Sequence, residues 1–308
     1  MNTLLRLIAP LLCICPAFAQ WEQEIPQDIR TLYLENDKVL SEESCDWRQP
    51  VADIFVPAVK DCRSAREAVL HIAANMTKLT GTYYSAERRK QTMNAMEALA
   101  EKKISCTGQT ILMVCAFRSV GIPARAVGIL TWNHVQGNHT WPEVWLDGKW
   151  HMIEFNEKDF NTPWVMENIG MLDPQHPWQR IVARHPEGKM VFPLGDMETN
   201  PLAAEDVTER YRALAKDWYA KSGLPADRQR LMLELHPRTD EERIVQLVDA
   251  SGKILEECPL PTKRDDMRKF ATFSLPRQGQ HYLIFPGNIV FPVQATDAPV
   301  NILRLIQK

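Results

Sequence analysis

The chain has 308 residues, enough for one large domain or two smaller ones. Apolar residues make up 45% of it and charged residues 24%, which is ordinary for a soluble globular protein and excludes wholesale disorder. The formal net charge is −3, and no block of basic residues interleaved with aromatic ones indicates a nucleic-acid surface. We therefore expect no nucleic-acid partner.

The first twenty residues have the pattern of an export signal. Arg6 precedes an apolar stretch from Leu7 to Cys15, and Ala17-Phe18-Ala19 is a small-x-small cleavage signal. The pattern predicts a signal peptide over residues 1–19 and a periplasmic or secreted protein. No later stretch of 18 or more apolar residues follows, so stable membrane insertion is not expected.

Removal of residues 1–19 leaves an odd number of cysteines, so at least one thiol stays unpaired in an oxidising compartment. The five are Cys45, Cys62, Cys106, Cys115 and Cys258. Cys45 and Cys62 are near enough in sequence to close a disulfide loop, but spacing alone leaves the pairing open. For Cys115 and Cys258, two separate buried thiols are favoured over a disulfide between them.

The periodicity of apolar residues divides the rest of the chain into four parts. An N-terminal extension covers residues 20–60, and a core of helices and strands covers 61–175. A helical connecting segment is predicted over 176–228. From residue 229 to 308, short strands recur about every ten residues, which predicts a small all-β sandwich whose partner the sequence does not reveal.

Cys106 opens the stretch that carries the chemistry. A helix that is apolar around most of its surface begins there, with Ser105 or Thr107 able to cap it, and Gly121-Ile122-Pro123 ends it. A helix N-terminus stabilises a thiolate and lowers the pKa of a cysteine. Cys106 is therefore a candidate nucleophile, although on this evidence alone a buried or disulfide-bonded cysteine is equally consistent with the pattern.

A hairpin downstream supplies a candidate base. Two runs rich in aromatic and β-branched residues flank Asp147-Gly148, a two-residue turn signal. His139 opens the first strand, while His134 lies in the loop before it and His151 lies on the second strand. The turn predicts that Leu146 pairs with Lys149, and that the pairing of the two strands continues residue by residue away from the turn.

Three residues are candidates to orient the imidazole. In the predicted register Asn156 lies opposite His139, and Glu154 is its diagonal neighbour on the same face. Glu154 carries the charge that stabilises an imidazolium, whereas Asn156 is a neutral alternative. A bulge at Pro142 shifts the register by one residue and brings Glu157 to that face instead.

These motifs together resemble a known family. The stretch "SCTGQTILMVCAFRSVGIPARAVG" followed by "GNHTWPEVWLDGKWHMIE" is similar to the transglutaminase-like superfamily, most closely to exported bacterial members with a C-terminal β-sandwich. The resemblance implies an α+β fold, in which helices pack on an antiparallel sheet in a papain-like core. It implies Cys106 as nucleophile and His139 as base, with Glu154 standing where the family usually has aspartate.

The resemblance also implies acyl transfer through a thioester on a peptide or protein substrate. Hydrolysis is favoured over transamidation because no calcium-loop pattern is present and water is the default acceptor. Trp141, Trp132 and Gln109 are candidate substrate-site residues, with core packing the favoured role for Trp141. No metal or other cofactor is expected, since no C-x-x-C pair and no H-E-x-x-H occur. The alternative is a catalytically inactive module that binds a protein or glycan partner.

Overall fold

A computed structural model describes residues 21, 24–132, 137–173, 175–194, 201–222, 224–225, 227–266, 269–296 and 300–306. The predicted signal peptide and His134 lie outside these residues. The helices are α1 (Gln27–Tyr33), α2 (Arg48–Ala58), α3 (Ala65–Ala74), α4 (Met76–Thr80), α5 (Ala95–Glu101), α6 (Cys106–Ser119), α7 (Pro163–Gly170) and α8 (Thr208–Ser222). The core strands are β1 (Tyr83–Tyr84), β2 (Lys103–Ile104), β3 (Ala124–Ile129), β4 (His139–Leu146), β5 (Lys149–Met152), β6 (Ile181–Arg184), β7 (Met190–Val191) and β8 (Ala203–Asp206). The C-terminal strands are β9 (Arg228–His236), β10 (Ile244–Asp249), β11 (Ile254–Pro259), β12 (Ala271–Pro276), β13 (His281–Phe285), β14 (Ile289–Val293) and β15 (Val300–Ile306).

A six-stranded antiparallel sheet, in the order β5-β4-β3-β6-β8-β7, organises the core. Side chains alternate across it, so Val144 packs with α6 on one face while Trp141 packs with α7 and α8 on the other. Helices therefore cover both faces, and every residue of β3 is buried. The α+β class predicted from the sequence is confirmed.

Two helical stretches precede the sheet. Residues 61–78, whose apolar residues recur at helical spacing, form α3 and α4, because Asn75 leaves the helical conformation between them. Residues 85–101, a stretch compatible with one helix or with a helix plus a loop, form an irregular segment followed by α5. Its start is determined by a capping box in which Asn94 and Glu97 bond each other's backbone N–H groups.

Residues 176–228 differ from the helical connection that the sequence predicts. They contribute β6, β7 and β8 to the core sheet before α8 begins. These strands have only two to four residues, too few for an alternating pattern to be visible in the sequence. The sheet that carries His139 therefore continues beyond residue 175.

The C-terminal strands form two sheets, β11-β10-β13-β14 and β12-β9-β15. Leu231 and Phe273 of one sheet share an apolar cluster with Leu247 and Leu283 of the other. This is the two-sheet packing expected of a β-sandwich. The sandwich contacts the core through Glu167 of α7, which pairs with Arg230 at 3.2 Å and accepts a hydrogen bond from Thr272 at 3.1 Å.

The cysteines of the described residues form no disulfide, and the loop considered for Cys45 and Cys62 is not closed. Helix α2 separates the two residues. Its eleven residues span about 16 Å, so the flanking segments would have to fold back along the helix for the two thiols to meet. Cys115 is fully buried in α6, and burial raises its pKa far above the ordinary value, so it stays a neutral thiol.

No helix among the described residues combines the length and the apolar character needed to cross a bilayer.

Candidate active site

Cys106 is the first residue of α6, as the sequence predicts. Ser105 is the N-cap, and its Oγ accepts a hydrogen bond from the Gly108 N–H at 2.9 Å. The Ser105 hydroxyl also donates to the Gln91 carbonyl at 2.6 Å, which anchors the start of the helix from outside. The Cys106 sulfur therefore lies where the positive end of the helix dipole favours a thiolate.

His139 opens β4, directly across from the start of α6. Thr107 follows Cys106 and Thr140 follows His139, and the hydroxyls of the two threonines hydrogen-bond each other at 3.2 Å. This contact holds the start of α6 against the start of β4. The predicted hairpin register is confirmed, with Leu146 opposite Lys149 and Glu143 opposite Met152. No bulge forms at Pro142, which pairs with Ala126 in a continuous ladder.

Glu154 is the candidate orienter that reaches the imidazole. Its Oε1 lies 2.9 Å from His139 Nε2, and both side chains are buried. The ladder between β4 and β5 ends at Met152, so the direct pairing predicted between His139 and Asn156 does not form. Asn156 instead takes a positive φ of 61° and hydrogen-bonds Thr77 at the surface. The chain thus turns away from His139 after Glu154. The side chain of Glu154 is one methylene longer than that of aspartate, and its carboxylate still reaches the imidazole.

Glu157, the other alternative, does not join this group. It is partly buried, and its carboxylate lies 3.9 Å from the Lys269 ammonium. Burial raises its pKa, and only secondarily does Lys269 act in the opposite direction.

Asp266 is a residue of the site that sequence reasoning missed. It lies between β11 and β12 of the sandwich, and its Oδ2 is 3.3 Å from His139 Nδ1. Cys106 Sγ, a ring nitrogen of His139 and a carboxylate oxygen of Asp266 all lie within 4.8 Å of one another. Because Nε2 is taken by Glu154, the nitrogen that faces Cys106 and Asp266 is Nδ1. No local pattern distinguishes Asp266 from other loop aspartates, so the sequence offers no signal for it.

His139 is thus held between two carboxylates. Burial by itself opposes protonation of the ring, but the charges of Glu154 and Asp266, with hydrogen bonds from the ring to Asp266 and Cys106, raise the pKa of His139 well above its ordinary value. The resting site therefore favours an imidazolium, the partner that a Cys106 thiolate requires.

Aromatic rings surround the imidazole and keep it in place. Trp141 stacks at a centroid distance of 5.5 Å from His139, and Trp132 stacks on Trp141 at 6.2 Å. Trp164, in the "FNTPW" stretch, approaches His139 at 4.9 Å. Trp141 is fully buried and donates its indole N–H to the Tyr211 hydroxyl at 2.7 Å, which places it in the core.

The other two substrate-site candidates differ in exposure. Trp132 is buried beside the imidazole, with its ring centroid 6.2 Å from that of His139. Gln109 is partly exposed on the first turn of α6, three residues after Cys106. Of the three candidates, Gln109 is therefore the one whose side chain meets solvent beside the cysteine.

A buried ionic cluster supports the strand that carries His139. Glu143 is fully buried and binds Arg125 at 3.1 Å, the Tyr211 hydroxyl at 2.7 Å and Arg210. Arg125 ends the G-I-P-A-R motif and also binds Glu205 at 2.6 Å. Since every charge in this Glu143 cluster has a partner, the cluster holds β3, β4 and α8 in one arrangement.

Three comparisons relate the chain to known proteins. The family model described as the transglutaminase-like superfamily matches residues 55–155. No curated protein matches the chain significantly. Among solved structures, a candidate cysteine protease from Cytophaga hutchinsonii is similar over 35% of this chain, with 16% identity and a TM-score of 0.31. The transglutaminase of red sea bream is similar over 87%, with 11% identity and a TM-score of 0.40.

The chain covers 37% of the first of these proteins and 64% of the second, less than two thirds of either. The matched segment contains Cys106, His139 and Glu154, whereas Asp266 lies outside it. The resemblance read from the sequence motifs is confirmed for this segment. The likeness to the transglutaminase-like superfamily is thus carried by residues 55–155.

Proposed function

We propose that this protein is a cysteine enzyme that transfers acyl groups from peptide or protein amide bonds, with water as the acceptor. The observation that supports it most directly is the arrangement of Cys106 at the start of α6, His139 beside it, and Glu154 at 2.9 Å from the far nitrogen of His139. Nucleophile, base and orienting acid come from separate elements, the arrangement that nucleophilic catalysis needs.

The proposed reaction has two steps. The Cys106 thiolate attacks the carbonyl carbon, and the carbon–nitrogen bond breaks as the His139 imidazolium gives its Nδ1 proton to the leaving amine. Water then attacks the thioester while its proton passes to His139. The carbon–sulfur bond breaks, which releases a carboxylic acid and restores the ion pair. Backbone N–H groups in the first turn of α6 are suited to stabilise the oxyanion in both steps.

Glu154 has a defined part in this scheme. Its carboxylate accepts a hydrogen bond from the Nε2–H of His139, so Nδ1 faces Cys106, and its charge stabilises the imidazolium. The alternative function, an inactive binding module, was favoured by the glutamate in place of aspartate. The 2.9 Å contact between Glu154 and His139 supports the active enzyme over this alternative.

Differential alkylation tests the proposal. Native protein is treated with chelator, then with iodoacetamide near neutral pH, and the modified peptides are mapped. We expect Cys106 to react faster than Cys115, and His139→Ala to slow the reaction of Cys106. A panel of fluorogenic amides then tests turnover, with Cys106→Ala expected to be inactive and the matched variant Cys62→Ser to be active. Equal labelling of Cys106 and Cys115, or turnover by Cys106→Ala, contradicts the proposal.

The export of the protein is a separate proposal, supported by the sequence pattern of residues 1–19 alone. N-terminal sequencing of protein secreted from a host cell tests it, and the expected first residue is Gln20.

A further inference from the structure

Three metal-ligating atoms converge beside His139, from parts of the chain far apart in sequence. Cys106 Sγ comes from α6, His139 Nδ1 from β4 and the Asp266 carboxylate from the sandwich, all within 4.8 Å of one another. All three residues are buried, at 5%, 1% and 9% exposure. The acyl-transfer scheme uses the first two and gives no role to Asp266.

The donor set and its spacing suit Zn²⁺. Thiolate, imidazole and carboxylate are the ligands that zinc takes in proteins, almost always in a tetrahedron. With zinc–nitrogen and zinc–oxygen bonds of about 2.0–2.1 Å, the two donor atoms of a tetrahedral site are roughly 3.3 Å apart. The observed distance from His139 Nδ1 to Asp266 Oδ2 is 3.3 Å. The sulfur reaches the same tetrahedron after a shift on the order of 1 Å or less.

The orientation of the imidazole is a second, independent observation. Nδ1 of His139 is buried and faces the carboxylate of Asp266 at 3.3 Å and the sulfur of Cys106. The other nitrogen, Nε2, contacts Glu154 at 2.9 Å. A carboxylate that holds the outer N–H of a histidine, so that the inner lone pair is free for the metal, is the usual second shell of a zinc site.

We propose that Cys106, His139 and Asp266 form a binding site for one zinc ion, with water as the fourth ligand. Binding displaces the one proton that the Cys106–His139 pair holds on Nδ1, and the thiolate and the Asp266 carboxylate neutralise the ion. Bound zinc occupies both groups that acyl transfer needs and ties the C-terminal sandwich to the core through Asp266. Bound zinc would thus inhibit acyl transfer reversibly. This inhibition rests on the proposed function, whereas the zinc site itself does not.

Metal titration of the full chain tests the site without any substrate. Chelator-treated protein is titrated with Co²⁺, whose thiolate charge-transfer and visible bands report sulfur ligation and tetrahedral geometry, and then with Zn²⁺, which displaces it. We expect one ion per chain, loss of the charge-transfer band in Cys106→Ser, and affinity at least about tenfold lower in Asp266→Asn.

The matched control is Asp265→Asn, the same change at the neighbouring residue, whose carboxylate bonds Thr262 and Lys269 instead. It should bind Co²⁺ as the unchanged protein does. Thermal melts in chelator establish that each variant is folded. Absence of the charge-transfer band in the unchanged protein, or equal affinity in folded Asp266→Asn, overturns the proposal.

Activity assays separate this proposal from the proposed function. If no amide in the panel is turned over, the acyl-transfer proposal fails, while the Co²⁺ spectra still decide whether the metal site exists. If turnover is found, stoichiometric Zn²⁺ should abolish it and chelator should restore it. Zinc that binds through Cys106 without loss of turnover overturns the inhibitory part.

Discussion

If the proposed acyl transfer takes place, replacement of Glu154 by glutamine should slow it while leaving the fold intact. Glutamine keeps the length of the side chain but removes the charge that faces His139 Nε2 at 2.9 Å. A hydrogen bond to a charged, buried partner contributes roughly 2–3 kcal/mol, and each 1.4 kcal/mol of transition-state stabilisation is a factor of ten. We therefore expect kcat/KM to fall about 30- to 150-fold.

A three-variant series measured on a fluorogenic amide makes this test specific. Glu154→Asp draws the carboxylate back by about 1.5 Å, one carbon–carbon bond, and should fall between the unchanged enzyme and Glu154→Gln. The matched control is Glu157→Gln, the same chemical change on a side chain that faces Lys269, with kcat/KM within about twofold of the unchanged enzyme. If Glu154→Gln is as active as Glu157→Gln while its melting temperature is unchanged, Glu154 does not orient His139 and the reasoning is wrong.

Three further predictions concern stability and are checked by unfolding. Glu143→Ala removes the fully buried carboxylate that pairs with Arg125, which keeps only Glu205, and with the partly exposed Arg210, and it should lower the free energy of unfolding in urea by about 3 kcal/mol; a loss below about 1 kcal/mol contradicts the role of the cluster. Trp141→Phe removes the hydrogen bond to Tyr211 and should cost about 1–3 kcal/mol with KM little changed, whereas a large rise in KM at normal stability would indicate substrate contact. Burial, opposed by Arg230, raises the pKa of Glu167 to about 7 from an ordinary value of 4.5, so the folded state binds this proton more tightly than the unfolded chain. Its contribution to stability is therefore complete below about pH 4.5 and is lost as pH rises through about 7, by up to roughly 3 kcal/mol. Glu167→Gln should therefore show a smaller drop in melting temperature between pH 5 and pH 8 than the unchanged protein. An equal drop in both proteins refutes the assignment.

Local signals in the sequence were sufficient for the two elements that carry Cys106 and His139. Ser105 caps α6 because its hydroxyl bonds a backbone N–H three residues ahead, and Gly121 ends the helix region with a positive φ of 84°. The turn at Asp147-Gly148 determined the hairpin register, since both residues take positive φ there. Such interactions span a few residues, so they can be read from the order of residue types alone.

The choice among Glu154, Asn156 and Glu157 depended on where the hairpin ends. A sequence predicts that two strands begin to pair, but the length of the ladder depends on what packs beyond it. Here Asn156 bonds Thr77, a residue 79 positions earlier, and the chain turns away from His139 at that point. The sequence likewise does not predict β6, β7 and β8, because these short runs become strands only by pairing in the core sheet, beginning with β6 against β3.

The sequence by itself determined that Cys106 starts a buried helix, that His139 starts a strand, and that these motifs are of the transglutaminase-like kind. Only the tertiary structure decided that Glu154 is the acid at Nε2 and that Asp266 of the sandwich faces the same imidazole at Nδ1. Helix caps and tight turns are short-range interactions that the residue order encodes directly. The meeting of a sandwich loop with a core histidine depends on how two separately folded layers dock, and no local pattern of residues specifies that contact.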